Sequence, residues 1–225
     1  MGGNDPNPEI VGLSIVARGS FNPAIFQPRW FSSNNLIRDE EADQATIEII
    51  HTRAAIFSTE WFSLQVTDDR FSVETRDPTK VQPLRDLAIG TFKILEHTPI
   101  EAFGLNGHYH FRMKSESEWH AFGHHYAPKE SWGTILDKPG MRSLTMEGKR
   151  EDCIADHVRV KIEPSVQVHP GIYVHVNQHY RLEEDDGATP ADLIARFVTT
   201  VQQDWDGFTA YCDSVSRHLL SSYST

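Results

Sequence analysis

The stretch Thr98–Tyr126, TPIEAFGLNGHYHFRMKSESEWHAFGHHY, decides how this 225-residue chain is read. From Ile100 to Met113 it alternates. Tyr109, Phe111 and Met113 point one way and His108, His110 and Arg112 the other, the two-residue period of a strand with one buried face. Ser115 to His125, carrying Trp119 and Phe122, then reads as a helix. The same order opens the chain between Glu9 and Asn34. There Val11, Leu13 and Ile15 alternate with Gly12 and Ser14. Asn22-Pro23 then offers a cap and a first-turn proline for a helix holding Ile25, Phe26, Trp30 and Phe31. Pro28 falls inside that helix and is expected to disturb it.

Between the two starts, Thr46 to Ser58 is rich in Ile, Thr and Phe and reads as one strand. Glu60–Thr67 and Arg70–Thr75, turning at Asp68-Asp69, read as a hairpin with Phe62, Leu64, Val66, Phe71 and Val73 on one face. Asp39 to Asp43 is a run of charge expected to be a solvated connector. Leu84, Leu87, Ala88, Phe92 and Leu95 mark an amphipathic helix from Pro83 to about His97.

After the second start, a loop with Pro128, Trp132, Pro139 and Gly140 leads to strands at 141–149, 155–163 and 171–182. Val158, Val160, Ile162, Ile172, Val174 and Val176 face inward. His157, Arg159, Lys161, Tyr173, His175, Asn177, His179 and Arg181 face outward. An acidic loop follows at Glu183–Gly187. Thr189-Pro190-Ala191-Asp192 is a helix start with cap, proline and acidic third position. Apolar residues from Leu193 to Leu219 then keep helical spacing for about eight turns.

The expected architecture is α+β: a pseudo-duplicated β-α-β-β-β-α unit forming one curved antiparallel sheet with helices packed on one face. Residues 1–8 form a tail, 9–97 the first half and 98–225 the second, in one integrated domain. This plan resembles the TATA-binding-protein fold in shape; that protein's wedge phenylalanines and basic surface have no counterpart here, so no DNA-binding role comes with it. The phrases IEIIHTRAAIFSTEWFSLQVTDDRF and KPGMRSLTMEG resemble a family of bacterial proteins of about this length, a resemblance that implies no catalytic residues.

Composition narrows function. The net charge of -11 weighs against wholesale binding of nucleic acid or anionic membrane. Cys153 and Cys212 form no CxxC pair, which weighs against a thiolate zinc site and fits a reducing cytoplasm. No apolar run reaches the roughly 18–20 residues of a membrane span. MGGNDPNP has neither the basic nor the apolar segment of a signal peptide, and Pro6 spoils a myristoylation signal. A cytoplasmic protein is expected.

Three sets of residues could carry chemistry. The first is the outer sheet face, where His108, His110, Arg112, His157, Arg159, Lys161, His175, His179 and Arg181 would lie together. On so acidic a chain that face suits a protein partner or another copy of the chain, and its histidines would gain charge below about pH 6.5. The plain alternative is the solvated face that antiparallel sheets often keep. The second set is His108, His110, His120 and His124, two pairs at strand and helix spacing, which could ligate zinc or another transition metal. No HExxH accompanies them. The third is the cationic subset Arg112, Arg159, Lys161 and Arg181 as a nucleic-acid surface. Ser143, Ser165 and Ser214 lie in no GxSxG elbow, and no phosphate-binding glycine loop occurs. Trp61, on the face opposite Phe62, is expected to be exposed, and Trp132 either exposed or capping the core. The reading favoured by the residues is a non-enzymatic interaction or assembly protein without a cofactor. A metal-dependent enzyme and a nucleic-acid binder are the alternatives.

Overall fold

The computed structural model describes residues 7–182 and 187–223. Residues 183–186 of the expected acidic loop Glu183–Gly187 and most of the expected tail lie outside the described residues. Strand β1 (Ile10–Gly19) is followed by a short 3-10 turn and by helices α1 (Pro28–Ser33) and α2 (Asp39–Asp43). Four strands follow: β2 (Thr46–His51), β3 (Ala54–Ser58), β4 (Ser63–Thr67) and β5 (Arg70–Thr75). Helix α3 (Val81–Ile94) leads to β6 (Ile100–Arg112) and α4 (Glu116–Tyr126). Strands β7 (Leu144–Gly148), β8 (His157–Pro164) and β9 (Gly171–Arg181) precede α5 (Pro190–Ser222).

Among the described residues the nine strands form one sheet in the order β2-β3-β4-β5-β1-β6-β9-β8-β7. All neighbours are antiparallel. The two strands that open the halves, β1 and β6, lie side by side at its middle, with Leu13 opposite Gly107 and Ile15 opposite Leu105. The helices cover one face. Phe197 of α5 sets its ring edge-on to Phe92 of α3 at 5.0 Å and to Phe103 of β6 at 4.9 Å. The aromatic contact ties both long helices to the sheet. Gly107 is needed where α5 presses closest, because a β-carbon there would lie 2.8 Å from Cys212 Sγ. The short α4 joins this layer through Phe122, 5.3 Å from the Tyr223 ring, and through the Tyr126 hydroxyl, which donates to the Leu219 carbonyl at 2.8 Å.

Several sequence expectations need correction. Thr46–Ser58 is two strands, because the chain turns at 52–53 and Ala54 comes back to pair with His51. Thr52-Arg53 contains none of the usual turn residues, so the turn left no mark in the sequence. Pro28 does not break a helix; it begins α1, at the position where its missing N–H costs nothing. Asp39–Asp43 is a helix and not a connector. Its Glu41 carboxylate accepts the Arg38 backbone N–H and the Trp61 indole N–H, each at 2.8 Å. Trp61 is accordingly half-buried against α2, not exposed. Trp132 is 51% exposed. The second half follows β-α-β-β-β-α; the first carries one more strand and one more helix.

The start of α5 is closed reciprocally. Thr189 Oγ1 accepts the Asp192 N–H at 3.3 Å, and Asp192 Oδ2 accepts the Thr189 N–H at 2.8 Å. Thr189→Ala is expected to lower stability by about 1 kcal/mol in chemical denaturation, with Thr189→Ser near wild type.

Candidate functional site: the outer sheet face

The face opposite the helices is not a simple solvated layer. Among the residues on it that lack side chains are Gly12 of β1 and Gly104 of β6. A β-carbon at Gly12 would sit 3.4 Å from His108 Cβ, and one at Gly104 would sit 2.7 Å from Asn177 Nδ2. Their absence lets the neighbouring rings and amides lie low across the middle strands. Cross-strand pairing then stacks them. His108 faces His175 with ring centres 4.6 Å apart and planes at 8°, His157 faces His179 at 4.7 Å, and His110 faces Tyr173 at 4.7 Å.

The hydrogen bonds fix protonation. Ser165 Oγ accepts two backbone N–H groups, from Gln167 at 3.1 Å and Val168 at 2.9 Å. Both lone pairs are thereby used, so its proton goes to His110 Nδ1, 2.8 Å away, and the His110 proton sits on Nε2. The same occupancy argues against Ser165 as a nucleophile, since an attacking oxygen needs a free lone pair. His108 Nδ1 and the Tyr173 hydroxyl share a bond of 2.6 Å. Asn106 Oδ1 accepts from His175 Nε2 at 3.3 Å and from Asn177 Nδ2 at 2.9 Å.

Burial, helped by neighbouring positive charge, pushes His108 and His175 down to about 4. It also lowers His110 and His179. For these four rings the charging expected below about pH 6.5 is moved to lower pH. Stacking and the sheet's own breadth exclude the water that a protonated imidazole would need.

Three of the four cations expected on the face, Arg112, Arg159 and Lys161, hold carboxylates through their side chains. Arg112 grips Glu9 with two guanidinium nitrogens, the second at 2.9 Å, and donates a third bond to the His169 carbonyl at 2.7 Å. Arg159 Nε meets Glu147 at 2.5 Å, Lys161 Nζ meets Glu163 at 3.1 Å, and Arg76 Nε meets Glu74 at 3.0 Å. Arg181 donates its backbone N–H to Asp156. The face is charge-balanced and not basic. The Glu9 carboxyl is held below the usual range by the Arg112 hydrogen bond, and Glu147 likewise by Arg159.

A recess of about 300 Å³ opens in this face. Its floor is Gly12, His108, His110 and Tyr173. One wall is the Glu74–Arg76 pair and the other the Lys161–Glu163 pair, and Val166, 95% exposed, stands at the rim. Six of the expected face residues do not line it: Arg112, His157, Arg159, His175, His179 and Arg181 lie elsewhere on the sheet, and of the cations expected there only Lys161 does. Gly12, Glu74, Arg76 and Glu163 were missed by the sequence reading, although the alternation that places Glu74 and Arg76 outward was present in it.

The four proposed metal ligands are not gathered. His108 and His110 stand on the outer face, whereas His120 and His124 belong to the helix that packs with α5, and His124 pairs with Glu130 at 3.1 Å. Among the described residues no three His, Cys, Asp or Glu side chains are placed to share a metal ion. Cys153 is half-buried and Cys212 buried, with burial pushing the Cys212 thiol up. No described helix is long and apolar enough to cross a membrane.

Fold and site together define an α+β protein with one broad antiparallel sheet, helices on one side, and a ring-floored, charge-balanced recess on the other. No family model matches the chain, and no curated protein matches it.

Proposed function

We propose that this chain is a non-enzymatic interaction protein that receives a segment of a protein partner on its outer sheet face, at the recess between Glu74–Arg76 and Lys161–Glu163. The observation that carries this reading is the pairing of both signs of charge on opposite walls over a floor of neutral rings. Such a surface matches a protein segment bearing both signs of charge, whose side chains can exchange with the internal pairs and whose apolar parts cover the rings. Nucleic acid fits less well, because each phosphate would have to displace a carboxylate already held by the cation it approaches. The engaged lone pairs of Ser165 support a binding role over a catalytic one.

In the same reading the two halves are copies of one β-α-β-β-β-α unit, with the additional strand and helix of the first half acquired at the sheet's edge. The sheet is curved, and the protein is bacterial and cytoplasmic.

The test fills the recess in one variant and reverses a wall charge in another. Gly12→Phe places a ring over the floor, and Lys161→Glu inverts one wall. The wild-type chain is expected to retain a discrete protein from its native cells after cross-linking. Both variants should lose that protein, and Lys161→Glu should do so while unfolding within a few degrees of wild type. Equal retention by all three chains, or retention by wild type of nucleic acid that is released by salt, would remove the reading.

A further inference from the structure

Among the described residues the sheet ends at β2 and β7, and these two edges are built differently. At β2 the register with β3 slips between Ile47 and Ile49, leaving Glu48 at the irregularity. A bulge and a charge are the usual devices that stop an edge from pairing with another chain. Strand β7 has no bulge, and its one charge, Glu147, is held by Arg159 of β8. It pairs with β8 in unbroken register from Leu144 opposite Ile162 to Gly148 opposite Val158. Four of its five residues are exposed, Met146 by 64%, and a β-carbon at Gly148 would meet nothing within 4 Å.

We infer that β7 is the pairing edge of a two-fold dimer, in which β7 of one copy runs antiparallel to β7 of a second, with Met146 on the axis. The second copy is chosen by self-complementarity. Leu144, Met146 and Gly148 share the inner face with Ile162, Val160 and Val158, whereas Thr145 and Glu147 share the outer face with Lys161 and Arg159. Directly opposed residues of an antiparallel pair point to the same face, so a register offset by one would set apolar side chains among charges. The dyad must therefore pass through a residue. Centring on Glu147 would oppose two carboxylates. Centring on Met146 engages all five residues.

In that register the inner rows read Ile162, Leu144, Gly148, Val158 and Val160, Met146, Met146, Val160 across the two copies, apolar throughout. The outer row reads Arg159, Glu147, Thr145, Lys161, so each Glu147 keeps the cation of its own chain and meets Thr145 of the other copy, not a second carboxylate. Half-buried Leu144 and Val160 and exposed Met146 gain cover, and the unpaired backbone groups of the edge find partners. The interface lies at the sheet edge and leaves the recess open, so it stands independently of the proposed function.

Sedimentation of the full chain tests it. Wild type is expected to be a reversible dimer. Met146→Arg sets two guanidinium groups against each other on the axis and should weaken dimerisation on the order of a hundredfold. Ile49→Arg, at the other edge, should leave it unchanged. In a Cys153→Ser background, Met146→Cys should cross-link two chains on mild oxidation, because opposed residues bring their Cα atoms within disulfide reach, and Thr145→Cys should not. A wild-type chain that is monomeric up to its solubility limit, a Met146→Arg dimer as tight as wild type, or equal cross-linking at both cysteine positions would overturn the inference.

Discussion

Acidification from pH 7 to pH 4 is expected to remove roughly 5 kcal/mol of folding stability through two histidines, His108 and His175. Each is pushed from 6.5 down to about 4 in the folded chain, first by burial and then by neighbouring positive charge. At about 1.4 kcal/mol per unit, such a shift amounts to about 3 kcal/mol per ring, and the two stacked rings share part of it. Below pH 6.5 the unfolded chain takes up these protons and the folded chain does not. Their contribution is therefore complete above about 6.5, falls as pH falls, and is gone below about 4.

The carboxylates held low by hydrogen bonds, among them Glu9, Glu147 and Asp192, lose their contribution at lower pH and are separable by window. Chemical denaturation at a series of pH values measures the slope. A double variant, His108→Gln with His175→Gln, should flatten it between 6.5 and 4. A wild-type profile already flat there would show that the rings are accessible to water and would undo the description of the outer face. Since small domains hold only about 5–15 kcal/mol in total, the wild-type protein should approach unfolding near pH 4.

Replacing Phe197 by Ala is expected to cost about 4 kcal/mol. Phe197 is 0% exposed and is the ring at which α3, α5 and β6 meet, edge-on to both Phe92 and Phe103. Its removal opens a cavity with fully buried Phe92 on one side and Val201 along the same helix, and rings cannot relax into such a space as aliphatic chains can. Phe197→Leu should cost only about 1–2 kcal/mol because most of the volume remains. Trp132→Ala, at a ring 51% exposed, should stay within about 0.5 kcal/mol. Urea titration compares the three, and a Phe197→Ala loss no larger than that of Trp132→Ala would contradict the packing of helices on the sheet.

The sequence showed which residues face the helices because burial of one sheet face imposes alternation, and β9 obeys it along nearly its whole length. The capped start of α5 was equally plain, since Thr189, Pro190 and Asp192 act within one turn. What failed was local structure without a local signal. The β2–β3 turn has no turn residue, and α2 is a helix partly because Glu41 finds Trp61, a residue twenty positions away.

For the candidate site the chain itself supplied the outward set of histidines and cations, and thus which side of the sheet to inspect. Tertiary structure alone decided their character. A residue's charge state depends on what lies across the neighbouring strand. Gly12 makes room for His108, His175 stacks upon it, and carboxylates from separate strands and from Glu9 neutralise the arginines. Alternation is written into each strand, but strand order and register follow from how the whole chain packs. They turned an expected basic, titrating face into a neutral recess between two ion pairs.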